Sequence, residues 1–437
     1  MFSKLAKGAA PVLTALIVFI AALPAAAETV IIHAGTLLDV PGEGPKRNAS
    51  VIVRDGKIAE VRNGFVKPGD VEDADRVIDL KSKYVLPGLI DSHVHIQSEL
   101  GPETRLHTVV RSDADWALWG AYYARLTLEA GFTTVRDVGA RSASGIFALR
   151  DAINAGRIPG PRLYASGRTI TPTGGHADIH GYREEVLHGL ATPAACDGAE
   201  DCRRAVREQI KLGADHIKIT ATGGVLSDTA AGTEQQFFGD ELKAIVETAH
   251  GLGRKVTAHA HGKQGIEAAL RAGIDSIEHG TYLDRNTVAL FKRTGAYLVP
   301  TVLAGATVAD YAREQDFFTP AVRQKALEVG PRMVNMLRIA HKGGVKIAFG
   351  TDTGVSEHGK NADEFTYMIE AGMTPMEAIR AATVTAAEHL GQSALIGTIE
   401  KGKSADIIAV DGDPAKDIDR LKNVSFVMKE GRIFKQR

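Results

Sequence analysis

Between residues 84 and 393, short apolar segments alternate with amphipathic, Ala-rich segments, and no other feature of the chain restricts its fold as strongly. The apolar segments have the length of buried strands, and the intervening segments have the spacing of helices. Eight strands separated by helices predict a (β/α)8, TIM-like barrel of the α/β class. The predicted strands are residues 85–96, 133–138, 163–166, 216–220, 255–259, 276–279, 296–300 and 346–352.

A doubly wound parallel sheet is the alternative, because it is built from the same alternation of strands and helices. Proteins of that class commonly carry a glycine-rich phosphate loop directly after a strand. Neither GxGxxG nor GxxxxGK[ST] directly follows any of the eight predicted strands. The pattern therefore favours the barrel.

The two chain ends show a different pattern, in which short strands are separated by turns. An Asp55-Gly56 turn between alternating apolar residues predicts a hairpin near the N-terminal end. Neither end has enough strands to bury a core alone. We therefore expect residues 28–83 and 394–437 to form one composite β-sandwich, beside a barrel formed by residues 84–393.

Residues 1–27 have the plan of a signal peptide. Lys4 and Lys7 precede an apolar run over residues 9–23, and small residues follow it. We expect a periplasmic or secreted protein with no membrane attachment after cleavage. A retained anchoring helix is the alternative, although the run is shorter than the roughly 20 residues that cross a bilayer. Export would also permit a disulfide between Cys196 and Cys202.

The charge balance gives no sign of a polyanionic partner. The chain has 52 Lys and Arg residues against 53 Asp and Glu residues, and its formal net charge is -1. The basic residues are scattered along the sequence, which argues against nucleic acid as a partner. We expect a small-molecule or dipeptide substrate instead.

Polar side chains occur at the ends of five predicted strands, where active sites of (β/α)8 barrels lie. Because His93 and His95 are two residues apart, both face the same side of their strand. Imidazole and carboxylate groups suit Zn²⁺, although manganese, cobalt or iron ions also accept such ligands. The candidate metal ligands are His93, His95, Lys218, His259, His279 and Asp352.

Lys218 is the unusual member of this set, since it lies between apolar residues on a predicted buried strand. Burial disfavours a charged amine, so the pKa of Lys218 should fall. A neutral amine can add carbon dioxide to form a carbamate whose oxygens can bridge two cations. Pairing of Lys218 with a nearby acid is the alternative.

These segments together resemble the amidohydrolase superfamily, and the match extends over nearly all of the chain after residue 27. The resemblance implies two divalent metal ions: His93, His95 and Asp352 would bind one, His259 and His279 the other, and carboxylated Lys218 would bridge them. It also implies a homo-oligomer. The segments that carry it are PGLIDSHVH (87–95), IKI (217–219), TAHAHG (257–262), IEHG (277–280), GTD (350–352) and GTIEKGKSAD (397–406).

Two further segments, TGGH at 173–176 and ATGGVLS at 221–227, are similar to one branch of this superfamily. That branch contains imidazolonepropionase-related proteins, dipeptidases acting on Xaa-Pro or Xaa-Lys/Arg, hydrolases of N-acyl amino acids and ochratoxin-degrading amidohydrolases. The resemblance therefore implies hydrolysis of an amide or peptide bond by metal-activated hydroxide, with Asp352 accepting and returning the proton.

Other residues are candidates for contacts with the substrate. His176 follows a Gly-Gly turn and could donate to the carbonyl oxygen, although an ordinary loop histidine is the alternative. Arg136 and Arg168 lie near strand ends and could bind a substrate carboxylate, although for each of them a structural ion pair is the favoured alternative. His261 shares the face of His259, but Gly262 marks the end of the strand, so we favour His259 as the ligand.

Three other functions compete with this interpretation. Deaminases of the superfamily usually lack the bridging lysine and carry a glutamate three residues after the strand-five histidine, where this chain has Gly262. Hydrolases of cyclic amides, lactones or phosphotriesters use the same ligands and remain open. A non-catalytic exported metal-binding protein would need a closed coordination shell.

Overall fold

The computed structural model of the chain describes residues 28–229, 232–314 and 316–437. It contains strands β1 Thr29–Leu37, β2 Lys46–Arg54, β3 Lys57–Asn63, β4 Ala74–Pro87, β5 Leu89–Val94, β6 Phe132–Asp137, β7 Arg162–Ala165, β8 Ile217–Thr220, β9 Val256–Ala260, β10 Ser276–His279, β11 Tyr297–Val299, β12 Lys346–Ile347, β13 Ile407–Val410, β14 Val424–Lys429 and β15 Arg432–Gln436. The expected signal peptide lies outside the described residues.

Fourteen α-helices lie among the described residues. They are α1 Thr104–Val110, α2 Asp113–Glu129, α3 Ala143–Asn154, α4 Glu184–Leu190, α5 Ala199–Leu212, α6 Gly239–Gly251, α7 Lys263–Ala272, α8 Arg285–Thr294, α9 Val302–Tyr311, α10 Pro320–Val329, α11 Met333–Lys342, α12 Glu364–Glu370, α13 Pro375–Ala381 and α14 Val384–Leu390. None of these combines the length and apolar character that crossing a bilayer requires. The α/β class expected from the sequence is confirmed.

The eight strands from β5 to β12 correspond to the eight predicted strands and are all parallel. They form a three-stranded sheet in the order β5-β6-β7 and a five-stranded sheet in the order β12-β11-β10-β9-β8. Isolated parallel bridges link Ile170 with Ile219 and Val94 with Thr353, at the two boundaries between these sheets. The carboxyl ends of the strands consequently face one side of the molecule.

Two predicted strands need correction. The predicted strand 85–96 is divided at Gly88, where a Cβ atom would lie 2.1 Å from Thr133 Oγ1, so only glycine permits this close approach. The last predicted strand, 346–352, is regular only over β12. Beyond β12 the chain still follows β5, because the Asp352 N–H donates to His93 O over 2.7 Å, but Asp352 has a left-handed φ of 58°.

Both chain ends join one seven-stranded sheet in the order β15-β14-β13-β4-β1-β2-β3. The Asp55-Gly56 hairpin is present between β2 and β3, whereas the long strand β4 was not predicted. This sheet has its own apolar core, which includes Val30, Val51, Val85 and Phe426. The two-layer sandwich stays a prediction, as do the domain boundaries.

Residues 397–404 read GTIEKGKS and match the letters of a phosphate-binding loop. Such a loop requires a helix immediately after it, because the helix N-terminus binds the phosphate. Here the segment connects α14 to β13, so a strand follows it. The segment therefore matches the phosphate-loop motif in sequence but not in structure.

Candidate functional site

A cavity of about 640 Å³ opens at the carboxyl ends of the parallel strands. Its size falls in the usual range for sites that bind small molecules. The structure brings eight of the nine predicted site residues to its wall: His93, His95, His176, Arg168, Lys218, His259, His279 and Asp352. The ninth, Arg136, does not line it.

His93, His95 and Asp352 meet where β5 lies beside the segment after β12. Asp352 Oδ1 lies 3.4 Å from His93 Nε2 and 3.2 Å from His95 Nε2. Burial alone would favour the neutral carboxyl, but the two imidazoles hold the pKa of Asp352 well below its usual range. Burial likewise opposes protonation of His95, yet the Asp352 carboxylate outweighs it and raises the His95 pKa.

The other nitrogen of His93 is held by a buried acid. His93 Nδ1 lies 2.7 Å from Glu278 Oε2, which leaves Nε2 facing the cavity. Glu278 also accepts hydrogen bonds from Thr257 and Ser276. Although burial opposes its charge, Arg136 and His93 hold the pKa of Glu278 well below its ordinary value. A ring orientation fixed in this way is typical of metal-binding histidines.

Arg136 supports this acid, which corrects its predicted role in binding a substrate carboxylate. Its Nη2 donates to Glu278 Oε1 over 2.8 Å, its Nε donates to Ser92 O over 2.6 Å, and its Nη1 lies 3.2 Å from His389 Nε2. The guanidinium is buried and all three nitrogens are engaged, so a substrate cannot reach it. The structural ion pair, the alternative given above, describes Arg136.

Three histidines of β9 and β10 converge on the opposite part of the cavity. One ligand atom from each of His259, His261 and His279 lies within 4.8 Å of the other two, and His93, His279 and Asp352 form a second such group. Thr301 Oγ1 lies 2.7 Å from His279 Nδ1, and Thr281 Oγ1 lies 2.8 Å from His261 Nδ1.

His261 thus joins the site although the sequence interpretation favoured His259 over it. Strand β9 ends at Ala260, but His261 continues the alternation and is buried beside His279, with ring centroids 4.8 Å apart. Alternation along the strand predicts this position, because side chains two residues apart share a face.

Lys218 lies on β8 and is 3% exposed, so its amine is almost wholly removed from bulk water. Burial lowers its pKa to about 8, even though the charges of Glu278 and Asp352 act in the opposite direction. Within the described part of the chain, its Nζ makes no hydrogen bond or ion pair. A substantial fraction of this amine is therefore neutral near physiological pH.

His176 enters the cavity from the loop after β7. Its Nδ1 lies 2.5 Å from Ser227 Oγ, and its ring centroid is 4.1 Å from that of His259. A Cβ atom on Gly224 would lie 2.2 Å from the His176 ring, so this glycine makes room for it. Burial lowers the pKa of His176 to about 3, so the ring is neutral at physiological pH.

The donor set fits divalent cations. His259 Nε2 and Asp352 Oδ1 are buried and have no hydrogen-bond partner among the described residues. Buried polar atoms are nearly always satisfied, so unpaired atoms in a ring of potential ligands fit the binding of a cation. The two groups of three ligand atoms share His279, so two cation positions would be adjacent. Nitrogen and carboxylate ligands suit zinc or a similar ion.

Comparisons with known proteins agree with this geometry. The model of the Amidohydrolase family matches residues 84–434. The chain belongs to the amidohydrolase family. It is consequently a hydrolase that acts on amide bonds, and the predicted superfamily is confirmed.

Relatives within the family also support the predicted branch. The chain is 35% identical to ochratoxinase of Aspergillus niger, over 94% of this chain and 87% of that protein. It is 41% identical to a Xaa-Pro dipeptidase with methionine bound in its active site, with a TM-score of 0.88 and coverage of 93% of this chain and 100% of the other. Imidazolonepropionase of Fusobacterium nucleatum is 24% identical, over 84% and 86% of the two chains.

Proposed function

We propose that the chain is a binuclear metal-dependent amidohydrolase that cleaves the amide or peptide bond of dipeptides or N-acyl amino acids. The observation that carries the proposal is the convergence of two adjacent ligand groups in one cavity, together with a buried lysine of lowered pKa on its wall. The names of the relatives, ochratoxinase and Xaa-Pro dipeptidase, support the substrate class.

Under this proposal, the predicted ligand set holds two Zn²⁺ ions, and His261 is available beside His259 and His279. When bound, such a pair would polarise a carbonyl and lower the pKa of a bound water. The neutral amine of Lys218 would form an N–C bond to carbon dioxide and release one proton, which gives a carbamate. The lowered pKa of Lys218 supports this step, because only the unprotonated amine reacts.

Asp352 would transfer the proton, and His176 would bind the substrate oxygen. Asp352 is held as an anion by His93 and His95, so it can accept a proton and deliver it to the leaving amine. His176 is neutral and uses Nδ1 for Ser227, so Nε2 is the atom that would bond to the substrate oxygen.

The wider predictions form part of the same proposal. We infer a closed (β/α)8 barrel, supported by the two isolated bridges between the parallel sheets, and a composite β-sandwich built from both chain ends. The disulfide between Cys196 and Cys202 is consistent with export to the periplasm or beyond. The predicted homo-oligomer also stays a prediction.

The test measures free amine release by the purified, zinc-reconstituted protein from Xaa-Pro, Xaa-Lys, Xaa-Arg and N-acyl aromatic amino acids. Lys218→Ala is assayed in parallel, with Lys211→Ala as a control on the exposed face of α5. We expect turnover of one substrate group, loss of at least about 1,000-fold in Lys218→Ala, and no change in the control.

If the wild-type protein, with metal confirmed bound, releases no amine from any compound of this panel, the proposed substrate class is wrong. Hydrolysis of cyclic amides, lactones or phosphotriesters by the same preparation would then identify the alternative. Full activity of Lys218→Ala would overturn the bridging role of the lysine.

A further inference from the structure

Two arginines of the cavity wall, Arg141 and Arg168, differ from the other arginines there. Arg105 donates to Asp228 and to Gly181 O, and Lys325 donates to backbone carbonyls such as Ser227 O. By contrast, neither the Arg141 nor the Arg168 guanidinium forms a hydrogen bond or an ion pair within the described residues. Among the arginines that line the described part of the cavity, these two guanidinium groups therefore have no bonded partner from the protein.

The backbone of Arg141 lies close to the proposed metal site. Two residues before it, Gly139 O lies 2.8 Å from His95 Nδ1. The Ala140 N–H donates to Gly167 O over 2.8 Å, and Gly167 is followed directly by Arg168. The two arginines therefore project from neighbouring strand ends, next to one of the predicted ligands.

The backbone of Arg141 is held firmly on its other side as well. The Ser142 N–H donates to Gln97 Oε1 over 2.9 Å, and Ser142 Oγ accepts from the Gly145 N–H to cap α3. The backbone that carries Arg141 is therefore ordered, so a ligand that binds its guanidinium does not have to order a loop first.

The surroundings of Arg141 favour an anionic ligand. Its side chain is open to the cavity, yet the walls around it remove enough water to lower its pKa. A guanidinium without a partner in such a place gains most from a bidentate carboxylate.

The acids of the same wall are already engaged. Asp113 accepts from Ser144 Oγ, Asp228 accepts from Arg105 and Thr319, and Asp178 accepts from the Gly174 N–H. Glu99 accepts from the His358 N–H, and burial raises the Glu99 pKa, which disfavours its charge. A cationic substrate group would meet two unpaired arginines and no unengaged acid among the described lining residues.

We propose that Arg141 binds the carboxylate of the leaving amino acid, and that Arg168 beside it makes this subsite select neutral or acidic residues over lysine and arginine. This inference rests on the proposed amidase function and narrows its substrate class. In an N-acyl amino acid, only the amide nitrogen and the α-carbon separate the carboxylate carbon from the scissile carbonyl carbon. Because this separation is short, a side chain that begins beside His95 is well placed to bind the carboxylate.

Binding of leaving-group amino acids tests the proposal without requiring turnover. Calorimetry on the zinc-reconstituted protein compares L-leucine with L-leucine amide, for wild type, Arg141→Met, Arg141→Lys and the exposed control Arg157→Met. We expect wild type and the control to prefer the acid by about 10- to 100-fold. Arg141→Met should bind both compounds alike, and Arg141→Lys should retain part of the preference.

The second arm compares L-glutamate with L-lysine. Wild type should bind glutamate more tightly, and Arg168→Met should reduce that preference by about tenfold. An unchanged preference for the acid in Arg141→Met, or no binding of any of the four compounds, would overturn the proposal. Failure of the amidase function would instead appear as absent amine release from N-acetyl-L-leucine, while the calorimetric preference persists.

Discussion

The carboxyl ends of the parallel strands and the seven-stranded sheet bury very different side chains. Around the cavity the buried groups are charged or polar, and His279, Thr301 and Asp352 adopt left-handed backbone conformations. In the sheet most of the core is apolar, although Ser50 and Lys429 are also buried there and some strand pairs contain a register shift. Left-handed non-glycine residues and buried charges cost free energy, whereas apolar burial provides it. Apolar burial in the sheet therefore contributes to the stability of the fold. This contribution offsets the cost of holding charged and strained residues together around the cavity.

The sharpest test of this contrast is Asp352→Asn. The variant should lower kcat by about 1,000-fold or more, because the amide cannot accept the proton. Its thermal midpoint should fall by only a few degrees, because His93 and His95 lose a charged partner but the amide fills the same volume. Amine-release assays and thermal unfolding measure both effects, with exposed Asp316→Asn as the control. Near-normal kcat, or a fall in the thermal midpoint of many degrees, would contradict this contrast between the cavity and the sheet.

The opposite outcome is expected in the sheet. Phe426 is 1% exposed, and Phe426→Ala should reduce the free energy of unfolding by about 3–5 kcal/mol while leaving kcat within about twofold. Val77, which is 37% exposed, provides the control Val77→Ala, with an expected cost below about 1 kcal/mol. The free energies of unfolding of both variants are measured by urea denaturation, from the first unfolding transition. Equal effects of the two substitutions would contradict the account.

Glu364 provides a pH-dependent version of the same contrast. It accepts from the N–H groups of Val302 and Leu303 at the start of α9, and burial raises its pKa to about 8. The folded protein therefore binds a proton that the unfolded chain has released above about pH 4.5. This contribution to stability is complete below that pH and is lost as the pH rises through about 8.

Glu364→Gln should remove this dependence. Between pH 5 and pH 8, wild-type unfolding free energy should fall by roughly 3 kcal/mol more than that of the variant. Effects of the metal site are common to both proteins and cancel in the comparison. Parallel pH profiles would show that Glu364 does not titrate in this range.

The smallest expected effect concerns the disulfide. Cys196 and Cys202 are six residues apart, so replacing both by serine should cost only about 2 kcal/mol of unfolding free energy. Asp197 within this loop accepts from Thr173 Oγ1 over 2.6 Å, near the segment that carries His176. We expect kcat to change by less than about fivefold. A loss as large as that of Asp352→Asn would mean that the loop belongs to the catalytic apparatus.

The periodicity of the sequence predicted much of this molecule. Alternation along strands placed His93 with His95 and His259 with His261, and all four line the cavity. The number and order of the parallel strands also follow from local patterns. These features depend on contacts within one segment, so a single sequence contains enough information to predict them.

Glu278 and Arg136 show where such reasoning fails. Alternation would put Glu278 and His279 on opposite faces of β10, yet Glu278 contacts His93 while His279 lines the cavity with a left-handed φ of 72°. Arg136 was assigned to a substrate because its partners, Glu278 and His389, are more than 100 residues away in sequence. Backbone strain and distant ion pairs leave no periodic signal, so they could not be predicted from local patterns.

The most direct test of the central claim is the zinc content of the protein. The metal-depleted chain is titrated with Zn²⁺ by calorimetry, and the bound zinc is counted by elemental analysis for wild type and Lys218→Met. We predict two zinc ions per wild-type chain and no more than one tightly bound ion in the variant, because the proposed carbamate of Lys218 would contribute to both positions. A single zinc ion in wild type, or two ions bound equally well by Lys218→Met, would contradict the binuclear site.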